Sequence, residues 1–565
     1  MKKHLPIWQS AVIASMLLAG AVPAAAASAG TVNAETAAAG PVSASDTNAA
    51  TVLAPLRLVS ETAGAKVAWN NEERTVTLSL GSDTITLAIG KSTALINDKE
   101  VELGAAVQIK DDKTFVPLNF LTEALHTAVS WDPQNGKLII PKGDLKAAAS
   151  AFASHWLQGE NESAVSYFNS DLKKSLNANQ LTYISQYYTN MYGPITGQLG
   201  AGTTSNSVHE NVYLTYETQS TLPFQMTVRF DKQDRIDDLY IPPYYSPDTY
   251  RKPSYDDSGA YVEKEVTLGE GRLALPGTLT LPSKPGPHPV VVLVHGSGAN
   301  DRDESIGGSK LFRDMAVGLA AQGIATLRYE KVTREHPFKS ATPAFTVQDE
   351  TVADAVYAVN QLAKTEGIDP QRIFVAGHSQ GGMVVPRVID GVKDVKLAGA
   401  VVLAGPTNSI EDVVLEQSKY QLEVSRERGL DTSILEQQVA FWEQQLKLIK
   451  DPQYSVDNLP KDLALSNAYW WMDFRNYSAS EIAKKQDKPM LILQGDNDAQ
   501  VLAYHLDKWK EALKDRTNVE YKLYPKLNHV FAEVDEKSTG AEYNEPANTP
   551  ASVIKDIADW VKKTK

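Results

Sequence analysis

In the second half of the chain, short unbroken apolar runs alternate with longer amphipathic stretches. The runs Val290–Val294, Ile324–Leu327, Ile373–Ala376, Ala400–Leu403 and Met490–Leu493 are built from Val, Ile, Leu and Ala with few polar breaks. Such runs are how strands covered on both faces of a parallel sheet read. Between them, Asp349–Lys364 carries a helical pattern entered through Thr346, a residue suited to capping a helix start. Ahead of them, Val262–Leu281 reads as an antiparallel hairpin turning at Gly269-Glu270-Gly271. The alternation predicts an α/β domain over 255–565, a mostly parallel sheet with helices on both faces. It is interrupted over about 407–487, where Leu435, Val439, Trp442, Leu446 and Ile449 recur at helical spacing after a possible capping box, Ser433–Glu436. An insertion after the strand Ala400–Leu403 lies over the carboxyl edge of the sheet and is read as a helical cap. Its aromatic run, Tyr469-Trp470-Trp471-Met472, predicts that Trp470 and Trp471 line an apolar acyl site.

The first half of the chain is organised differently. Pro55-Leu56-Arg57-Leu58-Val59-Ser60-Glu61 returns as Pro117-Leu118-Asn119-Phe120-Leu121-Thr122-Glu123, and Ala65–Asn70 returns as Thr127–Asp132, both 62 positions later. Each copy reads as a short helix followed by a strand pair, with Trp69 or Trp131 anchoring the strand entry. Thr75–Leu80 and Thr84–Ile89 alternate apolar and polar residues as half-buried strands do. Over 51–142 this repeat resembles the copper amine oxidase N-terminal module of secreted Gram-positive proteins, which implies a spacer or a wall-facing adhesion stalk. No cluster of His, Asp and Glu with ligand spacing accompanies it, so no metal is expected. From 143 to 243, helices at Leu145–Leu157, Glu162–Phe168 and Asn179–Tyr192 precede strands at Asn211–Gln219 and Phe224–Phe230, the order of a small α+β domain. This block resembles the DUF3887-type, NTF2-like cone. Its aromatics, Trp156, Phe168, Tyr187 and Tyr188, read as core and surface of a curved sheet in preference to a pocket lining.

Composition narrows the classes. The 565 residues carry a net charge of −14, which works against a nucleic-acid partner, and they contain no cysteine, which excludes disulfides, thiolate metal sites and a Cys nucleophile. Lys2 and Lys3, an apolar stretch from Ala11 to Val22 and Ala24–Ala27 together have the pattern of a signal peptide over 1–27. The apolar stretch is too short to span a bilayer. The expected location is therefore secreted or cell-surface, with a flexible Ala/Ser/Thr/Gly linker over 28–50.

The chemistry concentrates in one motif. Gly377-His378-Ser379-Gln380-Gly381 stands directly after an apolar run and before a helical pattern. In a strand–turn–helix elbow a nucleophile needs small neighbours so that the backbone can turn sharply. A serine hydroxyl also needs a base. Of the ten histidines, His529 follows the last strand run, Val519–Leu523, in the loop Leu527-Asn528-His529-Val530-Phe531. His378 is read as pointing away from the catalytic face, His295 as ending a strand and His505 as lying on an amphipathic helix over 502–513. The base needs an orienting carboxylate, and Gln494-Gly495-Asp496-Asn497-Asp498 offers two. Asp498, farther past the strand end, is the choice; Asp496 reads as a turn residue and stays open as the alternative. Oxyanion donors are expected from the backbone N–H of Gln380 and from His295-Gly296-Ser297-Gly298, where Ser297 is chosen with Gly298 in reserve.

Together, HGSGANDRDE (295–304), LRYEK (327–331), GHSQGG (377–382), LQGDNDAQV (493–501) and LNHVF (527–531) resemble the secreted bacterial α/β-hydrolases of the dienelactone-hydrolase-like and serine-aminopeptidase-like esterases. The resemblance implies the α/β-hydrolase fold and ester hydrolysis through an acyl-enzyme, with Ser379, Asp498 and His529 as triad and a small-molecule ester as substrate. It implies no cofactor and no metal. A cell-wall component is the expected partner of the stalk. A peptidase or thioesterase would use the same residues, and an inactive surface binding protein is the reading from a different class.

Overall fold

The computed structural model describes residues 52–220, 222–242 and 248–564. The signal peptide and linker expected over 1–50 lie outside the described residues. Those residues form two compact units, one of 52–205 with 209–242 and one of 206–208 with 248–564. No helix among the described residues is long and apolar enough to cross a membrane.

The larger unit is an eight-stranded sheet. Its strands are β1 (Tyr261–Leu268), β2 (Leu275–Pro282), β3 (His288–Val294), β4 (Ala325–Tyr329), β5 (Ile368–His378), β6 (Leu397–Leu403), β7 (Met490–Gly495) and β8 (Val519–Tyr524). They lie in the order β1-β2-β4-β3-β5-β6-β7-β8. The hairpin β1–β2 is antiparallel, as is the pairing of β2 with β4, and every later pairing is parallel. Alternation inside a continuous apolar run explains the two layers. In β3, Val290, Val292 and Val294 point into a core shared with helices α2 (Ala353–Leu362) and α3 (Gln380–Gly391). Val291 and Leu293 pack on the other face against α1 (Leu311–Ala321) and α8 (Ala551–Lys563). Burying both faces is what makes the run unbroken. This is the α/β-hydrolase fold.

The cap contains α4 (Ile410–Glu427), α5 (Ser433–Lys450) and α6 (Ala468–Phe474), and α7 (Tyr504–Ala512) follows β7. In α5 the expected stripe is buried at Leu435, Trp442, Leu446 and Ile449. The capping box expected from Ser433 is absent: Thr432 is the cap position, Asp431 accepts from the Ser433 N–H at 2.9 Å, and Glu436 accepts from the Thr432 hydroxyl. Thr346 and Asp349 do form reciprocal bonds ahead of α2, and a wide π turn, Gln348–Val352, intervenes.

In the smaller unit the 62-residue repeat is a structural repeat. Helix Leu56–Thr62 leads to the hairpin Lys66–Asn70 and Thr75–Leu80; helix Leu118–Ala124 leads to the hairpin Ser130–Asp132 and Lys137–Ile139. Asn70 and Asp132 each accept two backbone N–H bonds and close the two hairpin turns in the same way. The α+β block adds a sequential four-stranded antiparallel sheet, Ile195–Ser205, Glu210–Thr218, Phe224–Phe230 and Ile236–Tyr240. Trp156, Phe168 and Tyr188 are buried in its core and Tyr187 is exposed. The two blocks pack together, with Ala147 of helix Leu145–Leu157 in the core of the repeat and Ser154 donating to Glu61 at 2.5 Å.

Candidate active site

At the carboxyl end of β5 the chain reverses sharply into α3. Ser379 occupies the bend at φ 54° and ψ −120°, a strained conformation for a residue with a side chain. Its flanking glycines are required by space. A Cβ on Gly377 would lie 2.3 Å from the Gly381 carbonyl oxygen, and one on Gly381 would lie 2.2 Å from that of Val294. His378 and Gln380 are buried on either side, while Ser379 is partly exposed.

The loop after β7 supplies Asp498 and the loop after β8 supplies His529. The two meet in a buried hydrogen bond, His529 Nδ1 to Asp498 Oδ2 at 2.8 Å. Asp498 also accepts the N–H groups of Gln500 at 2.7 Å and Val501 at 2.9 Å and the Gln494 amide at 3.1 Å, so its carboxylate is held from several sides. Asp496 is exposed, and its backbone N–H donates to Tyr524. Of the two aspartates only Asp498 contacts the imidazole. His529 Nε2 has no hydrogen-bond partner among the described residues.

His378 corrects an expectation. Its side chain does not point away from this region: Nε2 lies 2.9 Å from the His529 carbonyl oxygen, and the two rings are 4.6 Å apart. On its other side, Nδ1 lies 3.1 Å from Glu304 Oε2, and both groups are buried. Burial works against charge here, but the facing Glu304 holds His378 above the usual histidine range, and His378 holds Glu304 below the usual carboxylate range. The other Glu304 oxygen accepts the Gly296 N–H at 2.6 Å. One buried ion pair therefore joins the loop after β3, the elbow and the His529 loop.

The loop after β3 lies against the elbow, since a Cβ on Gly296 would come 3.1 Å from Ser379 Cβ. The Gly296 carbonyl accepts from Lys331 Nζ at 2.7 Å and from Asn300 at 3.1 Å. In a trans peptide the Ser297 N–H points opposite to that carbonyl, so a grip on the oxygen sets the direction of the N–H. Lys331 is itself buried and pairs with Glu350 at 2.7 Å. The second Glu350 oxygen accepts from the Gln380 side chain at 3.2 Å and from the Trp470 indole at 2.8 Å. A single carboxylate thus touches supports of both expected oxyanion donors and one residue of the cap. Trp471 is buried against Trp442, with ring centroids 5.8 Å apart, and belongs to the packing of the cap. Burial pushes His295 down to about 4, and its Nε2 meets the Asp301 carbonyl.

Glu304, Lys331 and Glu350 were given no role from sequence. Lys331, just past the end of β4, offered a sequence signal, but the pairing of all three is made by the tertiary fold.

Comparison with known proteins agrees with this architecture. Residues 291–537 match the model of the alpha/beta hydrolase family, and residues 36–140 match the copper amine oxidase N-terminal domain. Esterase EstD of Thermotoga maritima is 30% identical over 427 residues, covering 74% of this chain and 96% of that protein. Among solved structures, a Pyrococcus furiosus esterase is 15% identical with a TM-score of 0.35, covering 56% of this chain and 97% of its own. Est1E from Butyrivibrio proteoclasticus is 16% identical with a TM-score of 0.34, covering 53% and 99%.

Proposed function

Because this chain belongs to the α/β-hydrolase family, we propose that it is a serine carboxylesterase working through an acyl-enzyme. Ser379 Oγ attacks the ester carbonyl while His529 Nε2 takes its proton. The tetrahedral intermediate then collapses, and His529 returns the proton to the leaving alcohol. Water attacks the acyl-enzyme with His529 again as base, regenerating Ser379 and releasing the acid. Asp498 fixes the imidazole with Nδ1 protonated and stabilises the cation that forms. The supporting observation is the buried 2.8 Å bond from His529 Nδ1 to Asp498, which leaves Nε2 for the nucleophile. Contacts of this kind are often open before substrate binds.

The backbone N–H groups of Gln380 and Ser297 receive the oxyanion. Glu350 is a positioning residue for both, through the Gln380 side chain and through Lys331. Its bond to Trp470 links that support to the cap, where the acyl group is bound. Ester is preferred to amide or thioester as substrate because the curated relative is an esterase. The residues over 1–27 direct export, and the 36–140 domain holds the enzyme at a cell-wall component.

Hydrolysis of a chromogenic short-chain ester tests the reading. Wild-type protein turns it over, and Ser379→Ala does not while keeping its melting temperature. Turnover surviving in Ser379→Ala would remove the serine from the mechanism.

A further inference from the structure

The two copies of the 62-residue repeat have diverged at most positions, so what they retain is informative. Asn70 and Asp132 are explained by their turns. The helix residues Leu56, Val59, Phe120 and Leu121 are explained by the core. The tryptophans are not fully explained by packing, since Trp131 packs only at the edge of the core and Trp69 lies outside it. Trp69 is 42% exposed, and Trp131 is only partly buried, so the strand-anchoring role expected for Trp69 fails. Both instead line one cavity of about 580 Å³, a size typical of ligand sites.

The rest of that cavity identifies the ligand class. Its polar lining includes Arg57, Lys113, Asp112, Glu160 and Gln158. Lys113 pairs with Glu160, and His155 Nδ1 lies 2.6 Å from the same carboxylate. Arg57 pairs with Glu61 at 3.0 Å. Both cations are matched within the protein and Asp112 adds one negative charge, so the cavity has no large excess charge for an ionic ligand to neutralise. It offers donors and acceptors beside two indole rings. A neutral molecule with apolar ring faces and a hydroxyl or acetamido rim fits that combination, and a metal ion or an anion does not.

We propose that this cavity is a carbohydrate-binding site that takes a pyranose oligosaccharide, stacked on Trp69 and Trp131 and hydrogen-bonded by Gln158, Glu160 and Lys113. It deepens, and rests on, the reading of the repeat as a wall-facing module, and it supplies the place where a glycan strand is held. It is independent of the esterase chemistry, which lies in the other unit.

Titration of the full chain with N-acetylglucosamine and glucose oligomers, followed by tryptophan fluorescence and calorimetry, tests the site. Sedimentation with insoluble peptidoglycan runs in parallel. Saturable binding of at least one oligomer is expected, weakened tenfold or more in Trp69→Ala, with ester turnover unchanged. Trp131→Phe, a milder change at a partly buried position, is expected to weaken binding while preserving the melting temperature. Preference for the amino-sugar oligomer points to wall glycan as the source, and preference for the glucose oligomer points to a plant or matrix polysaccharide. Peptidoglycan sedimentation that is indifferent to both tryptophan variants would overturn the site and leave the wall-facing reading standing. No binding to any glycan overturns both. A Trp69→Ala effect on self-association alone would show that the cavity is an interface between copies.

Discussion

Besides the His378–Glu304 pair, the larger unit contains two pairings of a buried imidazole with a carboxylate, each near a hydroxyl residue at the sheet's carboxyl edge. Asp498 and His529 are one. The other is Thr407, His505 and Glu416: the Thr407 hydroxyl lies 3.0 Å from His505 Nδ1, and His505 Nε2 lies 3.0 Å from Glu416. By residue type and distance the second resembles a triad at least as closely as the first. The difference lies in what is left free. His505 Nδ1 also accepts the Thr407 backbone N–H at 3.2 Å, so both of its nitrogens are committed. Thr407 is only 5% exposed, whereas Ser379 is partly exposed on a strained elbow. The His505 cluster ties cap helix α4 to α7 and to the loop after β6. Satisfied polar networks hold structure together, and reactivity needs a nitrogen held in reserve.

The largest expected effect separates these two clusters. Ser379→Ala and His529→Gln should each lower kcat by at least about 10⁴-fold with little change in melting temperature. Thr407→Val and His505→Gln should leave kcat per folded molecule within about threefold and cost roughly 1–3 kcal/mol of stability, measured by denaturant unfolding. A large loss of turnover in folded His505→Gln would break the distinction.

Glu350 sharpens it, because here a satisfied network touches the chemistry. Glu350→Gln keeps an acceptor for Trp470 but loses the charge facing Lys331. It should lower kcat roughly 10- to 100-fold with KM changed much less. Trp470→Phe, which deletes the indole donor, should shift acyl-chain preference more than acetate turnover. Equal losses across all chain lengths would make Trp470 a packing residue.

A smaller, pH-dependent effect belongs to Glu304 and His378. The raised His378 pKa means that the pair stabilises the fold below the usual histidine value, near 6.5, and that this contribution is lost as pH rises through the folded value. The lowered Glu304 pKa places its contribution above the usual glutamate range, lost as pH falls through its own folded value. Wild-type melting temperature should therefore decline on the alkaline side. Glu304→Gln should remove that slope and cost about 3 kcal/mol near neutral pH.

Much of this was legible before the fold. Continuous apolar runs located five adjacent strands because burial on both faces leaves little room for polar residues. The elbow was legible because Gly377 and Gly381 answer a steric demand made by local geometry. Strand Ile195–Ser205 escaped detection: its glycines and threonines show no apolar alternation. One of those glycines, Gly202, is paired with Tyr213, and a Cβ there would lie 2.2 Å from the tyrosine ring. The supporting ions escaped for another reason. Glu304, Lys331 and Glu350 come from separate segments and meet around Gly296 only when the loops after β3 and β4 and the turn leading into α2 are assembled. His378 was misread because its position beside Ser379 gave no hint of a buried partner 74 residues upstream.

Mass mapping of the protein after reaction with a p-nitrophenyl phosphonate ester bears most directly on the central claim. One adduct per chain is predicted, on the peptide carrying Ser379, formed far more slowly in His529→Gln and absent from Ser379→Ala. Stoichiometric labelling of any other residue, or equal labelling rates with and without His529, would contradict the account.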